Sequence, residues 1–343
     1  MDVFLRRFRD IVPNVNECFT YEEAEAALFK FEQLLKRWSI TITPGSQLEA
    51  AAFSVVDLAD RRRFPNSSSW RVDLRDDAAN LVGVNDLAVH VLRAADHPDF
   101  ERVVPHLRLL NEGQALQNRA SRSVDGAANK LFELLVACWV MAARADDVSV
   151  DDPLRSAGNN PDVMFNWESQ RWGIACKAIH SRAAQTVFER MQEGIRQVEA
   201  SEASRGMVLV NVKNVIEHAK YMRPAAVYAE GNEPSYVCLS RSQPQEMLKA
   251  EIDGILAGLR DGIDPYEMID AFLITKVVPA WILWGHTTSV VNYKGRPTLT
   301  SVPRLALGKL GEQPDGPLTP RANDLKLLER LNEAANVSPR PSD

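Results

Sequence analysis

The chain of 343 residues carries 40 Lys and Arg against 46 Asp and Glu, a formal net charge of −6, and 45% of its residues are hydrophobic. That content can bury a large core and points to two domains, while the acidic balance excludes a molecule that binds polyanions over its whole surface. Any nucleic-acid contact must come from a local patch; residues 161–226 hold nine Lys/Arg against seven Asp/Glu, a margin that solvated helix faces also produce.

Four cysteines, Cys18, Cys138, Cys176 and Cys238, are widely spaced. No pair has zinc-like spacing, and three lie in apolar runs where a buried thiol is the default. The opening MDVFLRRFRDIV lacks the unbroken apolar core of a signal peptide. AFLITKVVPAWILWG is too short to span a bilayer and contains Lys276 and Pro279. The expectation is a cytoplasmic, reduced protein without membrane attachment.

The first 120 residues read mainly as helices. TYEEAEAALFKFEQLLKRW has Thr20 as N-cap, Glu23 as its capping-box partner and apolar residues at helical spacing. Further helices are expected over 47–61, 77–94 and 99–111, with RRRFPNSSSW as a loop. Such a helical region packs against a partner domain or mediates self-association, and it names no chemistry. From about 122 the pattern changes. VDGAANKLFELLVACWVMAARA predicts a long apolar helix, DVSV a short strand, and a polar loop follows through Asn160. PDVMF and RWGIACKAI read as strands joined by NWESQ, AAQTVFERMQEGIRQVEAS as an amphipathic helix and GMVLVNV as a buried strand. SYVCLS, QEMLKAEIDGILAGL and AFLITKVVPAWILWG add strand, helix and strand, so the fold class is α/β. GEQPDGPLTPRAND is linker-like and precedes one short helix and a polar tail. The organisation read from this pattern is a helical region over 1–120, an α/β domain over 121–310, and a linker, helix and tail over 311–343.

The stretch NNPDVMFNWESQRWGIACKAIHS, residues 159–181, carries the candidate chemistry. Setting Asp162 opposite Ala175 or Lys177 centres a hairpin turn at 168.5 or 169.5, within Glu168-Ser169-Gln170. Opposed residues share a face and repeat every second position. Asp162, Ala175 and Lys177 are therefore expected on one face, with the side chain of Cys176 on the other. A carboxylate beside a strand backbone suits a hard divalent cation, which needs one or two carboxylates, a carbonyl such as that of Cys176, and water. Lys177 could hold an attacking water and stabilise developing charge.

These residues resemble the PD-(D/E)XK phosphodiesterases, a family of restriction, repair and recombination nucleases. Pro161-Asp162 looks like the first half of the motif, and Ala175-Cys176-Lys177 like the second. The order of elements from about 122 to 213 is similar to the family's αβββαβ core, preceded here by the helical region. The resemblance covers roughly a quarter of the chain. It implies a Mg²⁺- or Mn²⁺-dependent nuclease acting on DNA, in restriction-like antiviral defence or DNA processing. Asp162 would be the metal ligand, Lys177 the water-positioning residue and the Cys176 carbonyl a further oxygen.

This chain departs from the pattern at Ala175, where the family has an acid. Glu133, on the preceding helix, matches an acid often found on the family's first core helix; Glu189 or Glu193, on the following helix, could reach back instead. Gln192 lies where one branch of the family carries a glutamine. His180 could assist phosphate binding or proton transfer, and Arg182 could contact a phosphate. Each has an ordinary alternative: Asp162 as a loop cap, Lys177 as a solvated strand end, Glu133, Glu189, Gln192 and Glu193 as wet helix faces, His180 as incidental and Arg182 as exposed. Trp281 and Trp284 invite base stacking, with core packing the ordinary reading. Pro-Asp also occurs at Pro98-Asp99 and Pro314-Asp315, and a second apolar strand ends at Lys213. Phosphate-loop, dinucleotide, nucleophile-elbow and H-E-x-x-H motifs are missing. Two functions follow: a nuclease that works as a homo-oligomer or with a partner subunit through its N-terminal helices, or a catalytically silent nuclease-fold subunit that binds nucleic acid or acts as a scaffold.

Overall fold

The computed structural model describes residues 17–63, 73–121, 125–154, 160–223, 237–310 and 316–336. The opening segment, most of the RRRFPNSSSW loop, the loop before Asn160, the start of SYVCLS and the start of the late linker lie outside the described residues. A two-residue strand β1 (Glu17–Cys18) leads to α1 (Tyr21–Arg37), which starts on the expected capping box. Thr20 Oγ1 accepts the Glu23 N–H at 3.1 Å, and the Glu23 carboxylate accepts the Thr20 N–H at 2.7 Å. Helices α2 (Gln47–Arg63) and α3 (Arg75–Ala94) follow. The segment expected as one helix over 99–111 is broken into short turns around α4 (Val104–Arg108). Pro105 explains the break, because its missing N–H removes one rung of a continuous helix.

Helix α5 (Gly126–Ala142) begins at Asp125, whose side chain accepts the Ala128 N–H. It is followed by β2 (Asp146–Val150), β3 (Val163–Trp167), β4 (Gln170–Ala178), α6 (Ala184–Ala200) and β5 (Arg205–Asn211). The expected order helix, three strands, helix, strand is therefore present. Then come α7 (Gln243–Gly262) and α8 (Pro265–Phe272), the long strands β6 (Ala280–Tyr293) and β7 (Arg296–Lys309), and α9 (Ala322–Ala335).

One sheet joins the strands in the order β1-β7-β6-β5-β4-β3-β2. β4, β5 and β6 run parallel, while the outer neighbours pair antiparallel. Successive side chains enter opposite layers, as a strand requires. Ile174, Leu209 and Trp284 join the cluster built with α1–α5 and α9; Ala175, Val210 and Trp281 join the cluster built with α6–α8. Trp281 packs against Phe188 and Phe272, and Trp284 against Phe132 and Trp139, so both tryptophans are core residues.

Two strand expectations change. AFLITKVVPAWILWG splits between the end of α8 and the start of β6, with Lys276 and Pro279 between them. Of SYVCLS, the described part makes one isolated bridge, Leu239 to Val291. Among the described residues no helix is long and apolar enough to cross a membrane.

Candidate active site

The β3–β4 ladder runs from Val163 opposite Ile174 to Trp167 opposite Gln170. Of the two registers considered, this is the one that continues to Asp162 opposite Ala175. Glu168 and Ser169 form the two-residue turn, with φ of 46° and 62°. Pro161 lies against β4 because position 173 is glycine; a Cβ there would sit 2.9 Å from Pro161 Cγ. That close approach seats Asp162 one step beyond the last ladder pair, where Oδ2 accepts the Cys176 N–H at 2.7 Å. Alternate residues of a strand turn their backbone groups to opposite edges. Arg171 and Ile179 bond to the β5 side, so Cys176 turns both its N–H and its C=O toward the gap at Asp162.

The side chain of Asp162 thus folds across the strand edge toward α5 and meets Glu133 there. The two carboxyl groups lie close enough to interact electrostatically, and both residues are buried. Burial first, and the Glu133 charge second, push Asp162 up to about 7, against the Cys176 N–H and the charges of Lys177 and Lys130. Burial also raises Glu133, with Lys130 opposing it. Lys130 Nζ stands 3.0 Å from Glu133 Oε2 and 4.0 Å from Asp162 Oδ1. Burial works against this ammonium, but Glu133 and Asp162 outweigh it and its pKa is raised. His106 of α4 places Nε2 3.4 Å from the same Glu133 oxygen. Burial, then Lys130, hold His106 down to about 4, so at neutral pH the contact is a hydrogen bond from a neutral ring, with Nδ1 left unbonded.

Lys177 lies close enough to act on Asp162 electrostatically, and its Nζ is 3.5 Å from Glu193 Oε1 of α6. Glu193 also takes a bond from Arg190 at 2.8 Å. Glu189 accepts from Gln185 on its own helix; Gln192, further along, is half-buried. The structure thus brings Glu133 to Asp162 and Glu193 to Lys177. His180 is exposed, 3.4 Å from Asn214 Nδ2, and burial, Lys213 and Arg190 lower its pKa. Arg182 is engaged by Glu251 and by the Val215 carbonyl at 2.9 Å. Ala175 is fully buried under α6, where a Cβ on Gly194 would lie 3.3 Å from that of Ala175. An acid at 175 would have to displace this helix contact, which gives the missing carboxylate a packing reason.

Sequence reasoning missed Lys130 and His106. Lys130 had a usable signal, since it precedes Glu133 by three positions and so shares its helix face. His106 had none beyond being a lone histidine in VPHLR. Among the described residues no group of three or more His, Cys, Asp or Glu side chains could hold a metal. The centre offers two carboxylates and the Cys176 carbonyl, a hard-oxygen set of the kind Mg²⁺ completes with water. Asp162, raised by burial and by the Glu133 charge, fits such an ion, because a cation offsets that repulsion. Comparison with family models, with curated proteins and with solved structures gave no match.

Proposed function

We propose that the chain is a Mg²⁺- or Mn²⁺-dependent endonuclease with a restriction-endonuclease-like core, hydrolysing DNA phosphodiesters. The observation that carries this reading is the buried pair Glu133–Asp162 at the end of β4, with Lys177 on the same strand. The helix-strand-strand-strand-helix-strand order around it supports the architecture. Asp162, Glu133 and the Cys176 carbonyl would hold the ion, which when bound supplies charge stabilisation at a phosphate oxygen and acidifies water. Asp162 is kept in place by the Cys176 N–H, so its free oxygen stays aimed at the gap. Lys177 would hold the attacking water and meet charge developing on the phosphate, while Glu193 keeps its stem oriented.

Restriction-like defence or DNA processing in the cytoplasm is the setting we assign, and the four free thiols agree with a reducing compartment. Cutting both strands requires two such centres. Phe29 on α1 and Phe53 on α2 are exposed, which supports self-association or partner binding through the helical region.

A silent nuclease-fold subunit is the second reading. It is favoured by one observation, the Lys130 ammonium that already neutralises part of the acid pair.

Supercoiled plasmid incubated with the chain and Mg²⁺ or Mn²⁺ separates the two. Nicking should occur, stop with chelator, and fall by about a hundredfold or more in Asp162→Asn and in Lys177→Ala. Nicking that ignores chelator and both substitutions removes the hydrolytic reading, and binding of DNA without nicking favours the silent one.

A further inference from the structure

We propose that Lys130 is a resident counter-ion of the carboxylate pair, an ammonium that must leave before a divalent cation enters and that therefore sets the ion concentration at which the centre loads. This rests on the reading of the pair as a cation seat. Asp162 Oδ2 is taken by the Cys176 N–H at 2.7 Å. Its other oxygen lies 4.0 Å from Lys130 Nζ, and that same Nζ lies 3.0 Å from Glu133 Oε2. Asp162 Oδ1 and Glu133 Oε2 thus face one ammonium, the latter oxygen shared with the neutral His106 ring. An ammonium and a metal ion need the same lone pairs, so the two occupancies exclude each other.

The three side chains differ in their freedom to move. Those of Glu133 and Asp162 are 5% and 8% exposed, whereas that of Lys130 is 19% exposed. Its flexible four-carbon stem is partly exposed and can swing the charge outward; the acids stay where the backbone and packing hold them. Lys177 is not an equivalent gate, because Glu193 holds its ammonium from α6. A charge-assisted hydrogen bond that must break before loading weakens apparent ion affinity about ten- to a hundredfold.

Calorimetric titration of Mg²⁺, Mn²⁺ and Ca²⁺ into the full chain tests this, together with thermal melts with and without Ca²⁺. Lys130→Met should bind each ion about ten- to a hundredfold more tightly than wild type. Without ion it should melt lower, since two acids then lack their cation, and Ca²⁺ should restore the melt. Lys130→Arg should stay near wild type. If wild type binds and Lys130→Met binds equally or more weakly, the counter-ion role is overturned while the cation seat stands. If neither wild type nor Lys130→Met takes up any ion, both fall. Should Lys130→Met fail to fold, Lys130→Gln is expected to show the same tightening, and its absence overturns the inference as well.

Discussion

Asp162 and three histidines answer acid in opposite senses. Asp162 is pushed up to about 7 from 3.8 by burial and Glu133. Its contribution to stability is present below pH 3.8 and is lost as pH rises through 7, worth about 4 kcal/mol across the range. His90, His106 and His218 are held down to about 4, in each case mainly by burial. Their contributions are present above pH 6.5 and are lost as pH falls through 4, about 3 kcal/mol each. Three histidines act against Asp162 and Glu133, whose pKa burial also raises, so on balance acidification from pH 6.5 to 4 should cost the fold on the order of a few kcal/mol. Urea midpoints measured across this window should fall, and fall more steeply in Asp162→Asn, which removes one opposing contribution. Midpoints flat from pH 6.5 to 4 would contradict the neutral state of the three histidines.

The β3–β4 hairpin carries the candidate site, and its turn is built from residues poorly suited to it. Glu168 and Ser169 both take left-handed φ values, 46° and 62°, which cost a side-chain-bearing residue about 1 kcal/mol. Glu168 is held by Lys326 of α9, whereas Ser169 is exposed and open to change. Ser169→Gly should therefore raise stability by about 0.5–1 kcal/mol in chemical denaturation; an unchanged or lower value would mean the turn is less strained than its φ values indicate. The hairpin was legible in the sequence because Glu168-Ser169 interrupts two β-rich runs, and counting from that turn puts Asp162 against Ala175. The capping box of α1 was legible for a similar local reason. The β6–β7 hairpin was not, because two prolines and many hydroxyl residues disguise it. Among the described residues β1 pairs with β7 at Thr300 and Ser301, and Pro297 and Pro303 lie outside that pairing, on an edge strand where proline is tolerated. The usable signal was Lys294-Gly295, a two-residue turn with φ of 52° and 80°.

Across the whole molecule the centre is assembled from distant pieces: His106 from the helical region, Lys130 and Glu133 from α5, Asp162, Cys176 and Lys177 from the hairpin, and Glu193 from α6. Asp162 and Lys177 could be placed from the hairpin spacing, whereas Glu133 was named, beside Glu189 and Glu193, only through the family resemblance. His106 could not be placed at all, since only packing of the helical region on α5 brings it near. That packing is continuous: one hydrophobic cluster runs from Phe19 to Ala335. The C-terminal helix is tied in by the buried ion pair between Arg205 of β5 and Asp324 of α9, so the layers flanking the site are fixed to the sheet from both ends of the chain. Electron paramagnetic resonance of Mn²⁺ titrated with the protein reads divalent-ion uptake at this assembly. Wild type should quench the free-ion signal with one ion per chain, and Glu133→Gln combined with Asp162→Asn should leave that signal at full height. A full signal with wild type, or equal quenching by the double variant, would show that the paired carboxylates do not hold an ion.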